Sequence, residues 1–263
     1  MSRTGARLPT PRYSYLIQMA TGLVRDALLG RRRSFADDAR ACMARLVPPL
    51  CVLGAQNVPP GGGCVITLNH YYRPGFASQW SAFAVSASIP GEPHWIMTGE
   101  LTFPRHPWIA LIGMPLSRWA LGRVARVYGF TAMPPMPPRP RDVAARAAAV
   151  RRVLRYAAAH RAAFIALSPE GGDQPAGRLT MPPSGAGRFC LLLASAGFNF
   201  LPAGLYEEHG QLTLHFGEPY VLHVEKECAP HEKDRLAALA VMSRVAWLLP
   251  PELRGELAGI DRT

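Results

Sequence analysis

The chain predicts an α/β fold, a mixed sheet covered by helices with an amphipathic helical segment at its N-terminus. Three observations carry that expectation. Strand-like and helix-like textures alternate from residue 48 onward, the runs "CVITL" and "FIAL" read as buried strands, and glycine- or proline-rich turns separate the segments.

The elements follow in order. Residues 13–33 predict an amphipathic helix, with Leu16, Met19, Ala20, Leu23 and Ala27 at helical spacing and Gly30 as the stop. Tyrosines at one end and an arginine triplet at the other suit an interfacial anchor, and equally an ordinary packing helix with a solvated tail. "LCVLGAQNVP" reads as a short strand and turn, and "PPGGGCVITLNH" as a glycine turn feeding a buried strand. Residues 75–88 read as a helix and 94–99 as a strand. Residues 107–130 mix Trp, Leu and Ile with Arg and read as half-helical and interfacial, broken at Pro115. "MPPMPPRPR" is a stiff connector into a helix over 141–160, whose Asp142 stands where a helix dipole favours an anion. A strand in 162–172, a helix in 184–197 stopped by Gly197, two strands in 198–222 and a helix over 231–249 complete the chain. The later strand turns Leu212, Leu214 and Phe216 inward. Three segments result: 1–46, basic and membrane-associating; 47–227, the α/β domain; and 228–263, a C-terminal helix packing on the same domain.

With 263 residues, 49% hydrophobic and 18% charged, the chain is globular and long enough for one large core. Five scattered cysteines without a C-x-x-C pair argue against a disulfide framework or a zinc site and for a reducing compartment. No apolar run reaches the roughly 20 residues that span a bilayer, and the first dozen residues do not read as a cleavable signal. The net charge is +11, and all but two of the 29 basic residues are arginine. Such a surplus attracts polyanions, although arginine beside abundant alanine and proline is also what biased codon usage produces. The charge is clustered: residues 1–46 hold nine arginines against three aspartates, and 139–161 hold seven against Asp142.

Two polar turns at strand ends stand out, "NHYYRPG" (69–75) and "SPEGGD" (168–173). Turns of this kind in an α/β sheet face one crevice at the carboxyl edge, which would bring His70 to Glu170. A histidine there can take a proton from a hydroxyl and make it a nucleophile.

The order Asn69-His70, the strand "YGFTAM", Ser168-Pro169-Glu170-Gly171, "FLPAGLY" and "LHFGEPY" resembles the PlsC-like glycerolipid acyltransferases, over residues 48–222. The resemblance implies an O-acyltransferase that moves a fatty acyl group from acyl-CoA or acyl carrier protein, as co-substrate, to a hydroxyl of a lysophospholipid or related acceptor. It implies no metal and no further cofactor. His70 matches the family's general base, with Asn69 beside it, and Pro169, Glu170, Gly171 and Gly172 fall on its acceptor-binding block. Gly75 stands where the family carries the aspartate that orients the base, and Gly172-Asp173 where it carries Thr-Arg. The middle block also lacks its closing arginine. Neutralising the orienting carboxylate of the serine-protease triad costs about 10⁴ in rate, which sets the scale of that departure. Glu100 or Asp173, at a distance, and the neutral Ser78, Gln79 or a backbone carbonyl are the substitutes the sequence offers. The lost arginine implies a different acceptor or another arginine in its place, and Arg73, inside the first turn, is then the expected anion contact, ahead of Arg178 and Arg188. The expected partners are anionic membrane lipids, a thioester donor and a lipid or alcohol acceptor, at the cytoplasmic membrane face. Two rival readings stay open. One is a catalytically impaired lipid-binding protein of the same fold; the other, nucleic-acid binding, rests on charge alone.

Overall fold

The computed structural model describes residues 10–102, 107–136, 139–172, 177–224 and 229–259. Two helices lead in, α1 (Ile17–Leu29) and α2 (Phe35–Met43). There follow β1 (Cys51–Leu53), β2 (Cys64–Leu68), α3 (Gln79–Ala87), β3 (Pro93–Thr98), α4 (Pro107–Tyr128), β4 (Thr131–Met133) and α5 (Val143–Ala159). The chain continues with β5 (Phe164–Leu167), α6 (Ala186–Ser195), β6 (Asn199–Glu208), β7 (Gln211–Phe216) and α7 (Pro230–Ala246). One seven-stranded sheet results, in the order β1-β7-β6-β2-β5-β3-β4. Neighbours run parallel except β6 and β7, which pair antiparallel across a tight turn at His209-Gly210, both at positive φ. The sheet is therefore mixed, as the sequence predicts.

β2 lies at the centre, and all five of its residues are buried. Successive strand side chains point to opposite faces, so complete burial means that both faces of the sheet are covered. The cover comes from α5, α6 and α7, packed in succession, and from α2 and α3, packed on each other, while α1 lies on α4. Register then places the candidate site. Thr67 of β2 pairs with Leu167 of β5, so the two parallel strands end level and their polar turns leave the same edge side by side.

Two expectations change. The boundary at residue 46 cuts through the core, because Phe35, Ala39, Cys42 and Met43 of α2 belong to the main hydrophobic cluster. The start of α2 is fixed by its own chemistry. Ser34 accepts the Asp37 N–H at 3.0 Å, and Glu92 accepts the N–H groups of Phe35 and Ala36 at 3.2 Å each. Several charges of the basic segment are likewise neutralised internally, since Arg33 bridges Asp26 and Asp38 and Arg40 pairs with Asp37. Among the described residues of this segment, the exposed large aliphatic side chains, Ile17, Val24, Leu28 and Leu29, are on α1. The second change is α4, which runs 22 residues without a break at Pro115. Pro115 is exposed, so the helix carbonyl that loses its partner there can turn to the surface.

Candidate active site

Asn69 and His70 follow directly on β2. On one side β2 is paired with β6, which runs on to Glu208, past the end of β2 at Leu68. The backbone of Leu205 on β6 therefore has no β2 strand residue to bond. Asn69 fills the gap: its Nδ2 donates to the Leu205 carbonyl at 2.8 Å and its Oδ1 accepts the Leu205 N–H at 2.7 Å. The side-chain amide acts as one more residue of the ladder, and at 1% exposure it is shielded from competing water. Both polar atoms of Asn69 are thus committed to β6, so the residue holds the turn in place.

Glu170 has a similar task. Its Oε2 accepts the backbone N–H of His70 at 2.7 Å and its Oε1 accepts the N–H of Thr180 at 3.0 Å. One carboxylate thereby ties the first polar turn, the second turn and the chain leading to α6. Burial pushes the Glu170 carboxyl above the usual range, and the two donated N–H groups oppose that rise. Glu170 fixes the main chain of His70; the contact is to the backbone.

The His70 ring is half-buried, with Nδ1 shut off from solvent, and it lines a cavity of about 700 Å³. The cavity sits at the carboxyl edge of the sheet. Its walls include Leu68, Trp95 to Thr98, Met133 and Leu167 from four strand ends, Met19 and Leu23 of α1, Leu121, Val124 and Tyr128 of α4, and Phe189 of α6. Few of these are polar, and the size falls within the ordinary range for ligand sites. Pro169 and Gly171 also line it, whereas Gly172 does not. A second cavity of about 490 Å³ lies between residues 181–184 and α7; Pro183 and Ser184 line both cavities, and His70 lines the first.

Arg73, the expected anion contact, faces elsewhere. It grips Glu207 of β6 with two bonds, Nε to Oε2 at 2.5 Å and Nη2 to Oε1 at 2.8 Å, and its Nη1 donates to the Pro74 carbonyl. Tyr13 donates its hydroxyl to the same carboxylate at 2.5 Å, and Arg73 is absent from the cavity wall. A bidentate ion pair that is three-quarters or more buried leaves Arg73 as a fastening of the first turn. Arg178 and Arg188 are exposed.

Of the proposed substitutes for the orienting acid, Glu100 is buried and taken by Arg118 and Arg139. Gln79 donates to the Tyr15 hydroxyl at 2.6 Å, and Gln79 and Ser78 both line the cavity. Asp173 lies outside the described residues.

Among the polar groups of the cavity that sequence reasoning missed, the charged one is Arg146 of α5. The signal was present. Arg146, Val150, Val153 and Ala157 recur at helical spacing, so the arginine stands on the apolar stripe of its helix.

Fold and site together define an α/β protein with a largely apolar cavity at the carboxyl edge of its sheet and a histidine in the cavity wall. No protein-family model and no curated protein matches the chain. Among solved structures it is similar to the 1-acyl-sn-glycerophosphate (LPA) acyltransferase PlsC from Thermotoga maritima. The two are 12% identical with a TM-score of 0.49, over 89% of this chain and 84% of that one. At that identity and score the likeness assigns neither activity nor substrate.

Proposed function

We propose that the protein transfers an acyl group from a thioester to a hydroxyl of a lipid acceptor, with His70 as the general base. The observation that carries this reading is the placement of His70 in the wall of a largely apolar cavity of about 700 Å³, with its main chain pinned by Glu170. With Nδ1 shut away, Nε2 is the nitrogen that meets a substrate. In the forward step the acceptor O–H proton passes to Nε2 while the oxygen attacks the thioester carbonyl. The C–S bond then breaks, and the departing sulfur takes the proton back from the imidazolium, so protons balance over the cycle. The apolar walls accommodate the acyl chain. Acyl-CoA and acyl carrier protein are both donors of this chemical class.

The same reading places the protein at a membrane surface. α1 exposes Ile17, Val24 and Leu28, and α4, packed on it, exposes Trp108, Leu111, Ile112 and Leu116. The inward sides of these two helices help to wall the cavity. Exposed arginines lie beside that apolar surface, among them Arg25, Arg31, Arg32, Arg118 and Arg126, which suits an anionic lipid layer. Among the described residues no helix is long and apolar enough to cross a membrane.

The test of the chemistry is thiol release from acyl thioesters supplied with a panel of lysolipids and alcohols. His70→Ala is expected to abolish transfer with circular dichroism and thermal unfolding unchanged. Wild-type turnover in that variant would rule out His70 as the base. Retained lipid binding without turnover in the wild type would favour a binding protein instead.

A further inference from the structure

The chain behind Glu170 is gripped from a second side. Leu179, Thr180 and Met181 present successive N–H groups to different partners. Thr180 donates to Glu170, while Leu179 donates to the Leu253 carbonyl at 2.9 Å and Met181 to Glu256 Oε2 at 3.0 Å. The Glu256 N–H returns the contact, to the Leu179 carbonyl at 3.2 Å. Leu179 thus gives one backbone bond to the short C-terminal turn 253–256 and takes one from it. Leu179 is 1% exposed, and Leu257, which roots the turn in the core, is also buried, so this pair is shielded from water. Glu256 is exposed, and its bond is the weaker one. The fit is close at both ends. A Cβ on Gly255, at φ +50°, would stand 2.0 Å from the Leu179 carbonyl oxygen. A Cβ on Gly177 would stand 2.5 Å from the Tyr72 carbonyl oxygen in the first polar turn. Residues 177–181 are therefore wedged between the turn that carries His70 and a turn from the far end of the chain.

We infer that the C-terminal turn 253–256 positions the general base: by holding residues 179–181 it keeps Thr180 on Glu170, and Glu170 on the main chain of His70. The inference rests on the acyl-transfer reading for the role of His70, and on the hydrogen bonds for the relay. Glu170 is the point of transmission. Burial raises its carboxyl and two N–H donors oppose the rise, so withdrawing Thr180 removes one of the two and loosens the acceptor of the His70 N–H. Residues 253–256 do not line the His70 cavity, so they act on the position of the base and not on substrate contact.

Gly255→Ala drives a Cβ into the Leu179 carbonyl, Glu256→Ala removes the acceptor of the Met181 N–H, and Glu256→Gln keeps one. Gly91→Ala is the control for conformational strain: Gly91 has φ +83°, open space around an added Cβ, and a place before β3 at the amino edge of the sheet. Gly255→Ala is expected to lower kcat by roughly 10- to 100-fold with KM for donor and acceptor within about 3-fold, as displacing a base without losing substrate contacts does. Glu256→Ala is expected to lower kcat by about 3- to 10-fold, and Glu256→Gln to regain most of it. Gly91→Ala is expected to lower stability and leave kcat alone. Amide hydrogen exchange reads the relay without turnover: the His70 N–H is expected to exchange about 10-fold faster or more in Gly255→Ala and at the wild-type rate in Gly91→Ala. If Gly255→Ala does not fold, the two Glu256 variants carry both measurements. Faster exchange at His70 in a protein that transfers no acyl group would retain the relay and remove the proposed reaction. An unchanged His70 amide, or a change confined to KM, would overturn the inference while leaving acyl transfer standing.

Discussion

Gly75 shows how one residue departs from an expected pattern and what the backbone does with the change. The Phe76 N–H donates to the Arg73 carbonyl at 3.0 Å, closing a four-residue turn with Pro74 and Gly75 at its centre. Gly75 adopts φ +83°, as the third residue of a type II turn does, and proline suits the position before it. A Cβ at Gly75 would meet nothing closer than Arg73 Nη1 at 3.5 Å, so the obstacle to a side chain is conformational and not steric crowding. Gly75→Asp is therefore expected to cost about 1 kcal/mol of stability, read from urea unfolding. The new carboxylate would also start beside the guanidinium of Arg73, away from the imidazole, so turnover should fall modestly and by far less than in His70→Ala. A large gain in turnover with unchanged stability would show instead that an aspartate at this position can still orient His70.

At the scale of elements, α1 and α4 carry two jobs on opposite sides. Their inner faces wall the cavity and their outer faces are bare, with Trp108 at 85% and Ile112 at 72% exposure. Exposed side chains contribute little to folding, so changing them separates membrane attachment from stability. The double substitution Trp108→Glu with Ile112→Glu is expected to release the protein from anionic vesicles in a sedimentation assay and to leave thermal unfolding unchanged. Undiminished sedimentation would exclude the α4 face as a lipid contact. Substitution is the right tool for this question. Removing residues 1–46, the division suggested by charge and an amphipathic helical face, would also remove α2 and with it Phe35, Cys42 and Met43 from the core.

At the scale of the whole molecule, stability should depend on a histidine outside the site. His94 on β3 is 5% exposed, bonds Thr131 at 2.9 Å and stacks on Tyr156 with ring centroids 3.9 Å apart. Burial holds it down to about 4. The unfolded chain takes up this proton near pH 6.5 and the folded one does not until about pH 4, so His94 favours the fold above that window and the advantage is lost as pH falls through it. The loss amounts to at most about 3 kcal/mol by linkage. His94→Phe is expected to flatten this part of the pH profile in urea unfolding, although it starts from lower stability because Thr131 loses its partner. An unchanged acid slope would exclude His94 as its source. Much of the architecture was legible before any coordinates. Period, glycine stops and proline turns are local properties, and they placed the strands, most of the helices and the two polar turns. The companions of the site residues were less legible. Asn69 meets Leu205 across 136 positions, Arg73 meets Glu207 across 134, and Glu170 reaches back to His70 across 100. Arg146, read from sequence as one charge in a basic run, becomes a cavity residue because α5 turns its apolar stripe inward. The sequence by itself determined the alternation of strand and helix and which residues could bear chemistry, because those follow from neighbours along the chain. Tertiary structure alone decided that Arg73 is a fastening, that Asn69 and Glu170 hold the main chain, and that Arg146 faces the cavity. Such pairings depend on which strands lie side by side and in what register, and no local pattern encodes that.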